Sequence, residues 1–227
     1  VWEIQYQAAD GGPHRLIGEI RASEQIAAER LRDAGELPAA EAGTPIERYL
    51  LKTGNRDVAG LDFRWILQPR IRTRSAPAEL VVLERQEWGN FYGFVEAIEQ
   101  DGQSVAAGEA AWRELQPRLQ RVTQLRDEIG QLQKGAIGRI NYRLERLRLQ
   151  QRGLELDGTA SPEALAGIER ERAALQERFG VLQQQLDARY RDTQRDSLIR
   201  SVMDGREIRI PVANIVRAYR PNAMSLF

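Results

Sequence analysis

The longest hydrophobic pattern in the chain covers residues 112–197 and has the period of an α-helix. Apolar residues recur there at steps of three and four, first over 112–147 and again over 165–190. A helix of a globular protein averages about 11–12 residues, so each series predicts an unusually long helix. Strand-like patterns lie on both sides, and we interpret the helical stretch as an insertion into a β-rich domain.

The polar segment 156–161 predicts a reversal of direction between the two helices. Gly158 suits the left-handed conformation that commonly ends a helix. Ser161 followed by Pro162 supplies an N-cap and a proline at the first helical position. We therefore predict that the helices pack together as a long antiparallel coiled-coil hairpin.

Alternating apolar and polar residues predict the strands of the remaining chain. These strands lie within residues 2–21, 62–68, 80–95 and 198–219. The predicted fold class is thus α+β. A small β-rich base domain consists of residues 1–105 and 200–227, and the helical hairpin, residues 106–199, is inserted into it.

Two short helices are predicted in the base domain from their capping residues. Ser23 is a favourable N-cap for a helix that ends at Gly35. The sequence Thr44-Pro45-Ile46-Glu47 has the pattern of a capping box with proline at the first helical position. It predicts a helix from Pro45 to about Lys52.

Composition restricts the chemistry that the chain performs. The 33 basic and 33 acidic residues cancel, so no overall field favours nucleic acid, and we predict no nucleic-acid partner. Cysteine is absent and His14 is the only histidine, which excludes thiolate catalysis and a multi-histidine metal site within one chain. The sequence contains no P-loop and no GxSxG motif. We predict a non-enzymatic protein without a cofactor or metal.

A first group of arginines, in the segment 69–75, is a candidate contact site. Strand alternation would place Arg70, Arg72 and Arg74 on one side of an edge. Three guanidinium groups there could clamp an oxyanion such as phosphate, or contact an acidic partner. The alternative is a solvated, charged edge that discourages aggregation.

A second group, in the first long helix, is a candidate docking face. Arg139, Arg143 and Arg146 share one side of a helix and could contact an acidic protein or lipid headgroups. The alternative is an ordinary solvated flank. The glycine-rich sequence 134–138 just before them indicates either a hinge or, as we prefer, a point of close approach between helices.

Four segments resemble a known family. They are LLKTGNRD (50–57), LERQEWGNFYG (83–93), NYRLERLRL (141–149) and IPVANIVRAYRPNAM (210–224). They resemble the large extracytoplasmic insert of certain Gram-negative phosphate ABC transporter permeases, the A-type permease subunit of the Pst system. The resemblance covers essentially the whole chain. In such permeases the insert lies between the first and second transmembrane helices.

The resemblance implies a parent protein that helps to move phosphate across the inner membrane. A periplasmic phosphate-binding protein and a second permease subunit are the implied partners, and cytoplasmic ATPase subunits contact only the parent. The chain begins without methionine and has no run of about eighteen apolar residues. We therefore expect an excised fragment that lies on the periplasmic side and does not itself span the membrane.

A second hypothesis is a periplasmic adaptor or scaffold resembling the membrane fusion proteins of efflux systems. Those proteins also insert a helical hairpin into a β-rich body. A lipoyl-like half-motif on each side of the hairpin would favour this reading, and the sequence shows none. The docking module of a phosphate permease is therefore our first expectation.

Overall fold

The computed structural model describes residues 1–8, 11–36, 44–56, 60–201 and 207–223. By contacts, the chain divides into two units. The β unit consists of Val1–Leu119 together with the residues from Asp196 onward. The helical unit consists of Gln120–Arg195.

Five strands form the first sheet of the β unit. They are β1 (Trp2–Gln7), β2 (Pro13–Ile26), β3 (Ile46–Lys52), β4 (Phe63–Leu67) and β5 (Ile71–Ser75). The order is β4-β3-β2-β1-β5, and all neighbours are antiparallel. The hairpin predicted over 2–21 is confirmed, because β1 pairs with β2. Alternate apolar residues turn to one face and form a buried cluster of Ile4, Leu16, Leu51 and Ile66.

Six strands form the second sheet. They are β6 (Val81–Arg85), β7 (Phe91–Gln100), β8 (Gln103–Ala107), β9 (Asp196–Ser201), β10 (Glu207–Pro211) and β11 (Ile215–Tyr219). The order is β10-β9-β7-β6-β11, with β8 paired to β7. The two sheets share a core, since Ile17 of β2 packs with Val82 of β6 and Tyr92 of β7.

Of the two short helices predicted from caps, the first is present but begins later than predicted, and Gly35 follows its end with φ +72° as expected. The only α-helix between β2 and β3 in the described residues is α1 (Ala28–Asp33), and its N-cap is Ala27, not Ser23. The helix predicted from Pro45 to Lys52 is wrong, because this segment is strand β3. β3 is bonded to β2 on one side and β4 on the other. Hydrogen bonds to strands on both sides stabilise this segment more than the local helix-capping pattern would.

The long helix has three consecutive parts. They are α2 (Gly108–Gly130), a π-helical segment (Gln131–Ile137) and α3 (Gly138–Leu156), 49 residues together. The shorter helix, α4 (Pro162–Thr193), follows a loop in which Gly158 has φ +67°. The side-chain oxygen of Ser161 accepts a hydrogen bond from the backbone N–H of Ala164 at 3.2 Å. The predicted helix end and N-cap are confirmed.

The predicted fold class, a small β-rich base with an inserted long antiparallel coiled-coil hairpin, is wrong. The described residues have a mixed α/β structure, with eleven strands in two antiparallel sheets, one helix of 49 residues, a shorter helix and the short α1. The described residues contain no long antiparallel helical hairpin or coiled coil. The β-rich part is therefore not a minor base for a dominant helical arm.

The burial pattern explains why the helical periodicity gave a wrong prediction of coiled-coil packing. A coiled coil buries its a and d positions throughout. Of the 32 residues of α4, only Ile168, Leu186 and Thr193 are buried. In the long helix, the buried Ile129 and Ile137 are eight residues apart, so the seven-residue repeat is interrupted. A three-four pattern thus predicted the helices correctly and their packing incorrectly.

Candidate functional site

The π-helical segment is the most unusual backbone feature of the helical unit. A π-helix forms i→i+5 hydrogen bonds, is rare, and frequently marks a functional site. Ile129 and Ile137 are eight residues apart, one more than a heptad. The wider π turn accommodates this extra residue, so that both side chains stay buried. The glycines do not bring helices together here. A Cβ added to Gly135 would meet only the Nη1 atom of Arg139 within 4 Å, at 3.7 Å.

A small apolar cluster fixes the π segment against α4. Ile129 and Ile137, at its two ends, pack with Leu186 of α4. Three partly buried residues surround them: Leu132, Phe179 and Leu182. The segment is therefore held by packing on one side, while its polar residues face outward.

A groove of about 460 Å³ lies over the π segment. Most of its lining is polar, with two arginines, one glutamate and two glutamines. The lining residues are Glu128, Gln131, Leu132, Ala136, Arg139, Gln185 and Arg189. The small side chain of Ala136 leaves space in the middle of the groove. This concave, hydrogen-bonding surface is our candidate functional site, and we call it the π groove.

The two arginines of the π groove differ in their partners. Arg189 donates from Nε to Oε2 of Glu128 at 2.7 Å. Arg139 is exposed and forms no hydrogen bond or ion pair with any other residue that the structure describes. Its guanidinium group carries five N–H donors and a charge that is present at every physiological pH. The groove therefore offers one fixed cation and one available cation.

The predicted docking face is divided among three different environments. Arg139 lines the π groove. Arg143 donates from Nε and Nη2 to the two carboxylate oxygens of Glu171, at 2.6 and 2.9 Å. These hydrogen bonds lower the pKa of Glu171 and raise the pKa of Arg143. Arg146 is exposed, without a hydrogen bond or ion pair to another described residue.

The arginines predicted to share a strand edge are not brought together. Arg70 ends a 3-10 helix and donates to the backbone oxygen of Glu36. Arg72 is the extra residue of a β-bulge, so alternation fails there, and it donates to Oε1 of Gln7. The guanidinium of Arg74 lies 4.4 Å from the centre of the Trp2 ring. Anion binding by this group stays a prediction.

A buried arginine is the main polar feature that the sequence did not reveal. Arg200 of β9 is fully buried in the β unit. Its guanidinium carbon lies 4.0 Å from the centre of the Phe91 ring, and its Nη1 donates to Oδ1 of Asn55 at 3.2 Å. One signal was present in the sequence. Arg200 lies two residues after the buried Leu198, so the strand period turns both side chains inward.

Asn55 and its neighbour Gly54 connect the two sheets at this point. Asn55 has φ +53°, a left-handed conformation that asparagine tolerates better than most residues. Its Nδ2 donates to the backbone oxygen of Tyr92 at 3.1 Å. Gly54 has φ +54°, and a Cβ there would lie 2.1 Å from the backbone oxygen of Asn90. The cluster is a buried joint between the two sheets rather than an open site.

The two ends of the β unit are hydrogen-bonded to each other. Oδ1 of Asn222 accepts a hydrogen bond from the backbone nitrogen of Val1 at 3.1 Å. Its Nδ2 donates to the backbone oxygens of Val1 and Pro77, both at 2.9 Å. Two residues before Asn222, Arg220 donates twice to Glu109, at 3.2 and 2.6 Å, which lowers the pKa of Glu109. We call the Asn222 contacts the terminal clamp.

Much of the resembling sequence lies in these two places. Residues of segments 50–57 and 83–93 form the joint around Asn55, and residues of segment 210–224 form the terminal clamp. Segment 141–149 lies on α3, and Leu147 is the only buried residue of the segment. Asp57 and Met224, which belong to these segments, lie outside the described residues.

Comparisons with protein-family models, curated proteins and solved structures find no match to this chain. No group of three or more histidine, aspartate or glutamate side chains in the described part of the chain is arranged to hold a metal ion. Within the same residues, no helix is both long enough and apolar enough to cross a membrane. The candidate site is therefore judged on its own geometry.

Proposed function

We propose that this chain is the periplasmic domain of an inner-membrane phosphate ABC transporter permease, and that it is a non-catalytic docking module. The resemblance of the four segments is the starting point. The observation that carries the proposal is the terminal clamp, in which Val1 and Asn222 are within hydrogen-bonding distance. Packed helices lie about 8–10 Å apart. Ends this close suit a domain inserted between two neighbouring transmembrane helices.

The helical unit is the proposed docking surface. It carries 14 arginine and lysine residues against 11 aspartate and glutamate residues, a net charge of +3. Opposite charge on a partner would speed and orient association. The proposed partners are the periplasmic phosphate-binding protein and the second permease subunit, and the cytoplasmic ATPase acts only through the parent protein.

The resembling segment 141–149 supports a contact role for the helical unit. Eight of its nine residues are at least partly exposed, Leu147 being the buried one, so packing alone does not require its sequence. The resemblance implies that these exposed residues are shared with the family, and shared exposed residues indicate contact with something outside the chain. The segment includes Arg143 and Arg146 and begins two residues after Arg139.

Site-directed crosslinking in the full-length parent protein tests the proposal. The chain has no cysteine, so one introduced thiol gives one defined attachment point. Val181 of α4 and Val216 of β11 are 51% and 59% exposed and form a matched pair. We expect Val181→Cys, carrying a short photo-crosslinker, to give an adduct with the phosphate-binding protein or second subunit, and Val216→Cys to give at least about tenfold less.

Two outcomes would overturn the proposal. The first is the absence of a Val181→Cys adduct in cells that are actively importing phosphate. The second is a full-length parent sequence without apolar spans of about twenty residues on both sides of this chain. Phosphate uptake by the cysteine variants serves as the control that the parent protein is assembled and active.

A further inference from the structure

We propose that the π groove binds one carboxylate of a partner protein, the side chain of an aspartate or glutamate, with Arg139 as its charged donor. This inference rests on the proposed docking function and names the chemistry of the contact. Guanidinium and carboxylate groups match in planar shape and form two parallel hydrogen bonds. Arg143 and Glu171 form such a pair on the same helical unit, at 2.6 and 2.9 Å.

The charge of the groove fits a single carboxylate. Arg139 and Arg189 contribute two positive charges and Glu128 one negative charge, so the lining has a net charge of +1. A carboxylate side chain carries one negative charge. Inorganic phosphate carries between one and two near neutral pH, so Glu128 in the lining repels it more strongly than it repels a carboxylate with a single charge. The balance favours a protein side chain over free phosphate.

The two arginines have different roles, one structural and one in binding. Arg189 is held by Glu128 at 2.7 Å and stabilises the wall of the groove. Arg139 forms no polar contact with the described residues, so a ligand would not first have to break an internal ion pair. The amide groups of Gln131 and Gln185 supply further N–H donors for a carboxylate oxygen.

The π segment accounts for the shape of the site. A π turn is wider than an α turn, and here it lies between Ile129 and Ile137, which α4 holds in place. Ala136 in the lining leaves room above the backbone. A regular α-helix would place a different set of side chains at this level. The irregular turn thus orients Arg139 and Gln131 toward one space.

The crosslinking system described above tests the inference directly. Val181 is one helical turn before Gln185, so the same side of α4 carries the crosslinker and the groove. In the Val181→Cys parent, we expect Arg139→Gln to lower the adduct yield about tenfold, as the loss of a buried charge pair does at interfaces. Arg113→Gln, at an exposed arginine of α2 in the β unit, should leave the yield within about twofold.

A charge exchange separates recognition from a structural effect. Arg139→Glu should abolish the adduct, and changing the contacting aspartate or glutamate of the partner, located by sequencing the crosslinked peptide, to arginine should restore it. Adding millimolar inorganic phosphate, against chloride at equal ionic strength, should change the adduct of the parent with Arg139 and of Arg139→Gln by the same factor, because any phosphate effect then acts through the phosphate-binding partner. A phosphate effect that disappears in Arg139→Gln would overturn the carboxylate assignment.

Failure of this inference is distinguishable from failure of the docking proposal. If Val181→Cys gives no adduct in the otherwise unchanged parent, the docking proposal itself fails. If that adduct forms and Arg139→Gln and Arg139→Glu both leave it intact, docking stands and the π groove is not the contact. If the adduct is lost but no charge exchange restores it, Arg139 does not bind a partner carboxylate.

Discussion

Arg200 in the β unit and Arg139 in the helical unit show two opposite uses of the same side chain. Arg200 is fully buried, lies over the Phe91 ring and donates to Asn55. Arg139 is exposed in the π groove without an internal polar partner among the described residues. A buried charge persists only when the surrounding structure satisfies it, whereas an exposed charge costs little to maintain. Arg200 therefore belongs to the fold, and Arg139 is available for contact.

The two units differ in charge as well. The helical unit has a net charge of +3, and of the 33 residues of each sign the β unit keeps 19 basic and 22 acidic ones, a net charge of −3. The zero net charge of the whole chain conceals this asymmetry. A chain with zero net charge can therefore still contain a unit whose positive charge favours acidic partners.

The largest expected difference between the two arginines is in stability, when each is replaced by an uncharged residue. Arg200→Met leaves Oδ1 of Asn55 without its buried donor and removes the cation–π contact with Phe91, and it should lower the free energy of unfolding of the β unit by about 3–5 kcal/mol. Arg139→Met should change the free energy of unfolding of the helical unit, followed by far-ultraviolet circular dichroism, by less than about 0.5 kcal/mol. All four tryptophans, Trp2, Trp65, Trp88 and Trp112, lie in the β unit, so denaturation followed by their fluorescence measures this unit. Equal effects of the two substitutions would remove the distinction.

A pair of glycine substitutions tests the same contrast through the backbone. Gly54→Ala would place a Cβ 2.1 Å from the Asn90 oxygen at φ +54° and should cost about 3 kcal/mol or more. A Cβ on Gly153 of α3 meets nothing within 4 Å, so Gly153→Ala should stabilise the helical unit by about 0.5–1 kcal/mol. Tryptophan fluorescence follows the first variant, and far-ultraviolet circular dichroism follows the helices in the second. A stabilising Gly54→Ala would show that the joint is loosely packed.

Substitutions of Asn55 separate its hydrogen bonds from its backbone conformation. Asn55→Ala should cost about 2–3 kcal/mol, because both amide hydrogen bonds are lost and alanine disfavours φ +53°. Asn55→Gly loses the same hydrogen bonds without the conformational penalty and should cost about 1 kcal/mol less. Chemical denaturation of both variants measures the difference. Identical losses would mean that the left-handed conformation contributes nothing.

The smallest expected effect concerns an exposed pair of the helical unit. Hydrogen bonding to Arg143 holds the pKa of Glu171 below its ordinary value of 4.5. The stabilisation by this pair is therefore present above pH 4.5 and is lost as the pH falls through the lowered pKa. An NMR titration of the Glu171 carboxyl should show a midpoint below 4.5 that moves back toward 4.5 in Arg143→Gln. Arg146→Gln should leave the midpoint unchanged; a similar shift in both variants would indicate a general field.

Patterns that depend on side-chain alternation predicted much of the fold. The strand period located β1, β4, β6 and β10, and the turn chemistry of Gly158, Ser161 and Pro162 located both helix ends at the loop. These signals succeed because they report which face is buried or which backbone conformation is required. Both properties belong to the local sequence.

Predictions failed where distant partners decide the conformation. The capping pattern at Thr44–Glu47 describes a helix start, but β2 and β4 satisfy the backbone of β3 on both sides. Arg72 alternates correctly in sequence, and the bulge opposite β1 then removes it from the ladder. Neither ladder is visible in the segment itself.

The candidate site shows the same division. Arg139 was a predicted contact residue and lines the π groove, whereas Arg143 has an internal partner, Glu171, on another helix. The π segment itself was not predicted. The glycine-rich sequence 134–138 indicated an irregularity there, but hydrophobic periodicity alone does not count a single extra residue in a long helix.

The terminal clamp also has a mechanical consequence. A force that draws the two ends of the β unit apart acts first on the three hydrogen bonds of Asn222, which bear the load at one side chain. β1 and β11, which follow and precede the clamp, are shielded until it opens. The contacts of Asn222 should therefore be the first to rupture under load. Asn222→Ala should lower the initial rupture force in single-molecule pulling and leave the later unfolding of the helical unit unchanged.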